Sequence, residues 1–310
     1  MEWARVRASV VTGSGLAFAG VVAALSYQSQ PVPAARPPVH EVVIDIPSGL
    51  PSEAPPIVLV SGGERAIVLT GRVSSAALWE SYGSARVMLE SVPRVVLAQL
   101  PSDIHTLQSL DQRRELFIAT LLPILLTANE RIEAQRGRLQ DLVQRAEAGE
   151  SLGEGDQAWL ADLARQYKME RSDFDELLLR VDIIPPSLAL AQAAIESGWG
   201  SSIGARQMHS PFGHMTNVVR EGADGPDIRR FGTLSEAVNA YIDNLNTNRA
   251  YGRFRATRAG MRRNGGELDV DTLLGHLVRY SERGADYIRG VRTLIRANDL
   301  RAFDSARFAN

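Results

Sequence analysis

The sequence has no cysteine. That excludes disulfides, thiol nucleophiles, thiolate metal sites and a lipidated cysteine. It fits an oxidising compartment without requiring one. The chain also lacks a charge excess, with 34 Lys and Arg against 36 Asp and Glu and a net charge of −2. Such a balance gives no electrostatic case for nucleic acid. Its 5 histidines are scattered and never take metal-ligand spacing on one helical turn, so neither a metal nor a cofactor is expected.

What is present begins with an apolar stretch. Arg5 and Arg7 precede an uncharged run from Ala8 to Tyr27. Its length is near the ~20 residues that span a bilayer, and the basic flank predicts a cytoplasmic start. Residues 1–28 read as a signal anchor, with a cleaved signal peptide as the alternative. Residues 29–86 read as a linker. Pro31, Pro33, Pro37, Pro38, Pro47, Pro51, Pro55 and Pro56 crowd its first half, and such a composition stays extended. Short strands are expected at Val42–Ile46, Ile57–Val60 and Ala66–Thr70, the last after a Gly62-Gly63 turn. Residues 87–310 read as the main domain, and helical from about Val87.

The centre of that domain is the run from Pro185 to Gly200. Pro186 suits a first helical position, where its missing N–H costs nothing. Alanines and leucines fill the interior, and Gly198 and Gly200 supply a stop. The helix is apolar nearly all round, so burial on most sides is expected. Glu196 falls in its last turn, with Gln192 one turn below on the same face. A carboxylate there faces the negative end of the helix dipole. The apolar surround and the dipole both favour its protonated form, as a general acid requires.

Pro123 lies inside a long helical pattern that opens at Asp111 and predicts a kink there. Glu130 in that pattern reads as part of a solvated face. Ser151–Lys168, Arg171–Arg180, Phe231–Tyr251, Asp271–Tyr280 and Ala285–Asn298 read as further helices. Thr233 followed by Glu236 predicts a capping box. Asn217–Arg230, with several glycines and the acids Glu221, Asp224 and Asp227, reads as a β-hairpin or mobile flap.

The run Ala-Leu-Ala-Gln-Ala-Ala-Ile-Glu-Ser-Gly-Trp-Gly at 189–200 resembles the catalytic-helix signature of the glucosaminidase domain, glycoside hydrolase family 73. The Ser210-Pro211-Phe212-Gly213 turn and the Asn244–Tyr251 run are similar to the same family, and the lead-in Val181–Ser187 and Tyr280–Gly284 to its Bax-type branch. In the turn, Ser-Pro stands where the family has Asn-Leu. The resemblance covers Val92 to Phe308. It implies a mainly α, lysozyme-like helical domain with a small β-hairpin flap. It also implies endo-cleavage of the β-1,4 bond after N-acetylglucosamine in peptidoglycan glycan strands, with no cofactor.

By the same resemblance Glu196 is the general acid. Asp227 holds the flap position of the family's second carboxylate, four residues before Phe231, with Glu221 as its rival. Gln192, Trp199, Phe212, His214, Tyr251 and Tyr280 are the implied substrate-binding residues, with Tyr287 a further cleft candidate. A base acting directly on water would place its carboxyl ~6.5–9.5 Å from the acid, whereas attack by the N-acetyl group needs no second carboxylate. Two other readings stay open: a lytic transglycosylase, and an inactive glycan-binding module that tethers a membrane complex to the wall. The expected setting is the inner membrane facing the periplasm, or the periplasm after cleavage.

Overall fold

A computed structural model describes residues 57–61, 64–89, 91–219 and 226–309. The apolar segment 1–28, the strand expected at Val42–Ile46 and the acids Glu221 and Asp224 lie outside the described residues. Among the described residues no helix is long and apolar enough to cross a membrane.

Strands β1 (Ile57–Ser61) and β2 (Glu64–Leu69) form an antiparallel pair. β2 then pairs in parallel with β3 (Val95–Leu97), placing Leu69 beside Leu97. Between them helix α1 (Ser75–Tyr82) buries Leu78 completely, and its Ser75 N–H donates to Asp103 at 2.6 Å. The strands expected at Ile57–Val60 and Ala66–Thr70 fall on β1 and β2. Residues from Ile57 onward are hydrogen-bonded into the main body, and position 87 lies inside a 3-10 turn, Ala85–Leu89. The partner strand is distant in sequence, so no local pattern announced the pairing.

Helix α2 (Leu110–Glu147) runs 38 residues as one element with Pro123 inside it. Ser109 caps it, accepting from Gln112 N–H. Its apolar middle is buried from Leu116 to Leu126. Glu130 takes a paired Arg94 fork at 2.9 and 3.1 Å, and that guanidinium lies 4.2 Å above the Phe308 ring. Helices α3 (Glu154–Gln166) and α4 (Phe174–Arg180) follow, each shorter than the sequence pattern suggested.

The segment after α4 is anchored by an ionic cluster. Asp182 is 1% exposed, with Arg262 at 2.9 Å, Arg258 at 3.6 Å and Arg136 at 3.8 Å. Burial alone would raise the Asp182 pKa, but the three guanidinium groups outweigh it and hold the carboxyl below its usual range. Arg258 also donates to the carbonyls of Leu179, Asp182 and Ile183, and Asn129 clamps both backbone groups of Ile184. These bonds fix the entry of the next helix.

That helix is α5 (Pro186–Ser197), with Pro186 at its first turn and Gly198 in the left-handed conformation at its end (φ 59°, ψ 47°). Leu188, Leu190 and the alanines at 189, 191 and 193 are fully buried, and each leucine contributes ~2 kcal/mol by leaving water. Pro185 offers no side-chain cap. Asp304 supplies one instead, accepting from Ser187 N–H at 2.8 Å and Ser187 Oγ at 2.7 Å.

Helix α6 (Ile203–Gln207) leads to the antiparallel hairpin of β4 (Met215–Val219) and β5 (Pro226–Ile228). Helix α7 (Leu234–Thr247) is capped by Thr233, while Glu236 reaches back to Gly232 N–H at 2.9 Å. A 3-10 turn, Arg249–Tyr251, leads into α8 (Gly252–Arg263), which the sequence pattern did not announce. The helix expected over Asp271–Tyr280 is two pieces: α9 (Val270–Leu274) and a 3-10 turn, Val278–Tyr280, separated at Gly275. Helix α10 (Ala285–Ala297) packs on α5 where Gly290 faces Ile195, since a Cβ there would sit 3.2 Å from Ile195 Cδ1. The chain closes with a strand-like contact of Val92 to Arg307 and Ala309, 2.9 Å each way.

Candidate active site

The site is assembled on the C-terminal turn of α5. Gln192 and Glu196 are four residues apart and share a face, so one partner side chain reaches both. That partner is Tyr287 on α10. Gln192 Nε2 donates to the Tyr287 hydroxyl at 3.0 Å, and Gln192 Oε1 accepts from Tyr241 of α7 at 2.8 Å. With its oxygen already accepting, the Tyr287 hydroxyl directs its own proton to the Glu196 carboxylate. A one-way chain of hydrogen bonds thus runs from Tyr241 through Gln192 and Tyr287 to Glu196.

Glu196 is half-buried. Desolvation raises its pKa, and the Tyr287 hydroxyl and the nearby Arg283 charge pull it part of the way back. Burial wins, so the acid holds its proton to higher pH than a free glutamate. Arg283 lies over the Tyr287 ring at 5.4 Å and keeps a cation at the mouth of the site. Opposite, Gly213 has φ +67°, and a Cβ there would stand 3.1 Å from Glu196 Oε2. Only a residue without a side chain lets this turn lie against the carboxyl.

Aromatic rings enclose the rest. Tyr280 stacks on Tyr287 at 5.6 Å and tilts against Tyr251 at 6.4 Å. Phe212 stacks on Tyr241 at 4.1 Å. His214 lies edge-on to Phe231 at 5.3 Å and to Phe212 at 6.1 Å.

The family profile described as Glucosaminidase, mannosyl-glycoprotein endo-beta-N-acetylglucosaminidase, matches residues 172–300. Over 195 residues the chain is 33% identical to Protein bax of Escherichia coli (strain K12), covering 60% of this chain and 69% of that protein. The chain belongs to the Bax-type glucosaminidase family. Among solved structures, the catalytic domain of the autolysin Auto from Listeria monocytogenes matches 53% of this chain and 96% of its own, at 19% identity and a TM-score of 0.31. A likeness of that score adds nothing to the assignment.

Within this glucosaminidase domain the expected residues divide. Glu196, Tyr251, Tyr280, Phe212 and His214 gather in one neighbourhood. Tyr280 is half-buried and donates to the Phe212 carbonyl at 3.3 Å. Three of the residues expected to contact substrate have their side chains packed inside the protein. Gln192 is fully enclosed with both amide ends occupied, so it holds Tyr241 and Tyr287 and offers no surface. The Phe212 ring is 2% exposed and stacked in the core, so it presents no open face. Trp199 takes φ +57° in the left-handed turn after Gly198, which folds its ring back onto α2, edge-on to Phe117 at 5.8 Å and beside Arg114.

Asp227 sits on β5 near the base of the hairpin. Its neighbour Ile228 pairs with Met215 and packs against Gly204, so by strand alternation Asp227 belongs to the other face of the ribbon. The next residue, Arg229, donates its N–H to the His214 carbonyl at 2.8 Å. That bond ties the hairpin base to the turn that touches Glu196. Sequence reasoning gave Tyr287 only a minor cleft part and missed Tyr241, Gly213 and Arg283. The signal for Tyr287 was the Gln192–Glu196 face itself, which called for one partner spanning both. Among the described residues no group of acidic or histidine side chains is placed to hold a metal.

Proposed function

We propose that this protein is a peptidoglycan hydrolase, an endo-β-N-acetylglucosaminidase that cleaves glycan strands with Glu196 as the general acid. The observation that supports it is the pairing of a raised Glu196 pKa with the fixed Tyr241–Gln192–Tyr287 chain, in a chain of the glucosaminidase family. Glu196 protonates the departing glycosidic oxygen. Tyr287 then returns a hydrogen bond to the carboxylate that remains, and Arg283 stabilises its charge. The opposing step falls to water activated by Asp227, or to the substrate's own N-acetyl group held by Tyr251. The half-buried Tyr280 face receives a sugar ring. An anchor at the apolar residues 8–27 would hold this chemistry at the outer side of the inner membrane, and cleavage there would release it into the periplasm.

The deciding experiment digests purified glycan strands and identifies the new ends. A reducing N-acetylglucosamine end is expected. An anhydro-muramic end would make the protein a transglycosylase, and no product would leave a binding module. Glu196→Gln should keep the fold and lose at least about a hundredfold in kcat. Near-normal turnover by that variant would remove Glu196 from the mechanism.

A further inference from the structure

A cavity of about 630 Å³ opens between the 3-10 turn before α8 and the turn after α9, lined by Arg249, Arg253, Arg279, His276 and Val278. None of its lining residues is acidic. Elsewhere in the fold arginines are matched to carboxylates: Arg94 to Glu130, Arg145 to Asp156, Arg292 to Asp271 and Arg301 to Asp269. Arg249, Arg253 and Arg279 are exposed, and among the described residues none has a carboxylate within ion-pair reach. His276 has its Nε2 3.0 Å from Thr257 Oγ1, which orients the ring in the wall.

The position of the cavity gives it meaning. Arg249 and Arg253 flank Tyr251, and Arg279 immediately precedes Tyr280. Those two rings are neighbours at 6.4 Å, and Tyr280 stacks on Tyr287 at 5.6 Å, so the segments that line the cavity also carry the aromatic rings beside Glu196. A polymer passing Glu196 and resting on Tyr280 would meet, one residue away along the chain at Arg279, the wall of a cationic chamber open to whatever branches from it. Guanidinium groups hold carboxylates through paired donors, and a chamber of this volume takes a short chain rather than a lone ion.

We propose that this cavity binds the carboxylates of an acidic peptide carried on the glycan strand, so that the enzyme reads the branch as well as the backbone sugar. The inference rests on the glycosidase reading above. It goes beyond it by assigning a peptide subsite that takes no part in bond cleavage. Occupancy lowers KM for branched strands and leaves kcat unchanged.

The test compares two substrates with two proteins. The substrates are glycan strands carrying their peptides and the same strands stripped of peptide by an amidase. The proteins are the wild type and the double variant Arg253→Gln, Arg279→Gln, whose side chains are exposed, with thermal unfolding as a check on folding. On peptide-bearing strands the variant should show a KM raised about tenfold, from the loss of charge-assisted hydrogen bonds. On stripped strands its KM and kcat should equal the wild type's. An equal loss on both substrates would overturn the peptide assignment, as would no loss on either. If the wild type cleaves neither substrate, the hydrolase reading fails by itself. Binding of a soluble muramyl peptide by titration calorimetry then decides the cavity, with weakening in the variant expected and equal affinity overturning it. Added inorganic phosphate at matched ionic strength separates the sources. Suppression of the wild type's preference for branched strands to the variant's level by millimolar phosphate would mark a general anion site and overturn the peptide assignment, whereas a preference that survives supports it.

Discussion

Lowering the pH should destabilise this protein through one histidine, and the size of the effect can be worked out. The His214 ring is set edge-on between Phe212 and Phe231, and its Nδ1 is buried with no partner. Burial, together with the Arg229 charge, pushes its pKa down from 6.5 to about 4. The folded value lies below the unfolded one, so the folded state resists protonation. Stability is therefore complete above the unfolded pKa and drains away as the pH falls toward about 4. Near pH 5 the unfolded chain carries almost a full proton at this site and the folded chain about a tenth of one, which costs ~2 kcal/mol. Glu196, Asp243 and Asp304 have raised pKa values and act in the opposite sense, so the total pH profile mixes signs. The variant His214→Phe isolates the term, because a phenyl ring suits the aromatic surround and cannot titrate. Urea unfolding of both proteins at about pH 7.5 and about pH 5 gives the double difference. The wild type should lose ~2 kcal/mol more than the variant over that interval. Parallel pH profiles for the two proteins would refute the reasoning.

Gly213→Ala should be harmful twice over, since φ is +67° and the new Cβ would crowd Glu196 Oε2 at 3.1 Å. A loss of ~1–2 kcal/mol in unfolding free energy with a fall in kcat is expected, and an unchanged variant would show the turn to be looser than described. Gln192→Leu should strand the buried Tyr241 hydroxyl and take away the donor to Tyr287, destabilise by ~1–3 kcal/mol, and move the alkaline limb of the kcat profile upward as Tyr287 loses its orientation toward Glu196. A limb that stays in place would show that the relay does not act on the acid. Asp227→Asn and Tyr251→Phe separate the two routes of attack. A severe first and mild second variant marks carboxylate-activated water, and the reverse marks the N-acetyl group, with strand cleavage rates as the readout. Two mild variants would remove both residues from the chemistry.

Much of α5 was legible because its signals are local. Pro186 and Gly198 bracket it, and the four-residue step from Gln192 to Glu196 sets their common face. The hairpin and the Thr233 cap were legible for the same reason. What was hidden depends on distant partners. Tyr287 reaches Gln192 from 95 residues away, and β2 finds β3 across the intervening α1. Helix α8 is rich in arginine and carried no sequence signal, yet Arg258 is fully buried against Asp182. A pattern of charge says nothing of a counter-charge supplied from another element. Trp199 was hidden for a third reason, since a left-handed backbone at a non-glycine residue sets the direction of the ring and nothing in the local sequence announces that conformation.

The cap that Asp304 places on Ser187, 117 residues away, bears on the order in which the molecule comes into being. A ribosome releases α5 long before it releases residue 304. Until then the helix carrying Glu196 has its first amides unsatisfied, and Val92 has no Arg307 to pair with. Contacts of such sequence separation form slowly, and domains emerge from the amino end. Translation therefore makes the carboxyl early and its support late. A chain cut short of residue 304 would hold every residue named in the chemistry and still present a frayed helix. Such a fragment would be open to proteases and without a settled Glu196.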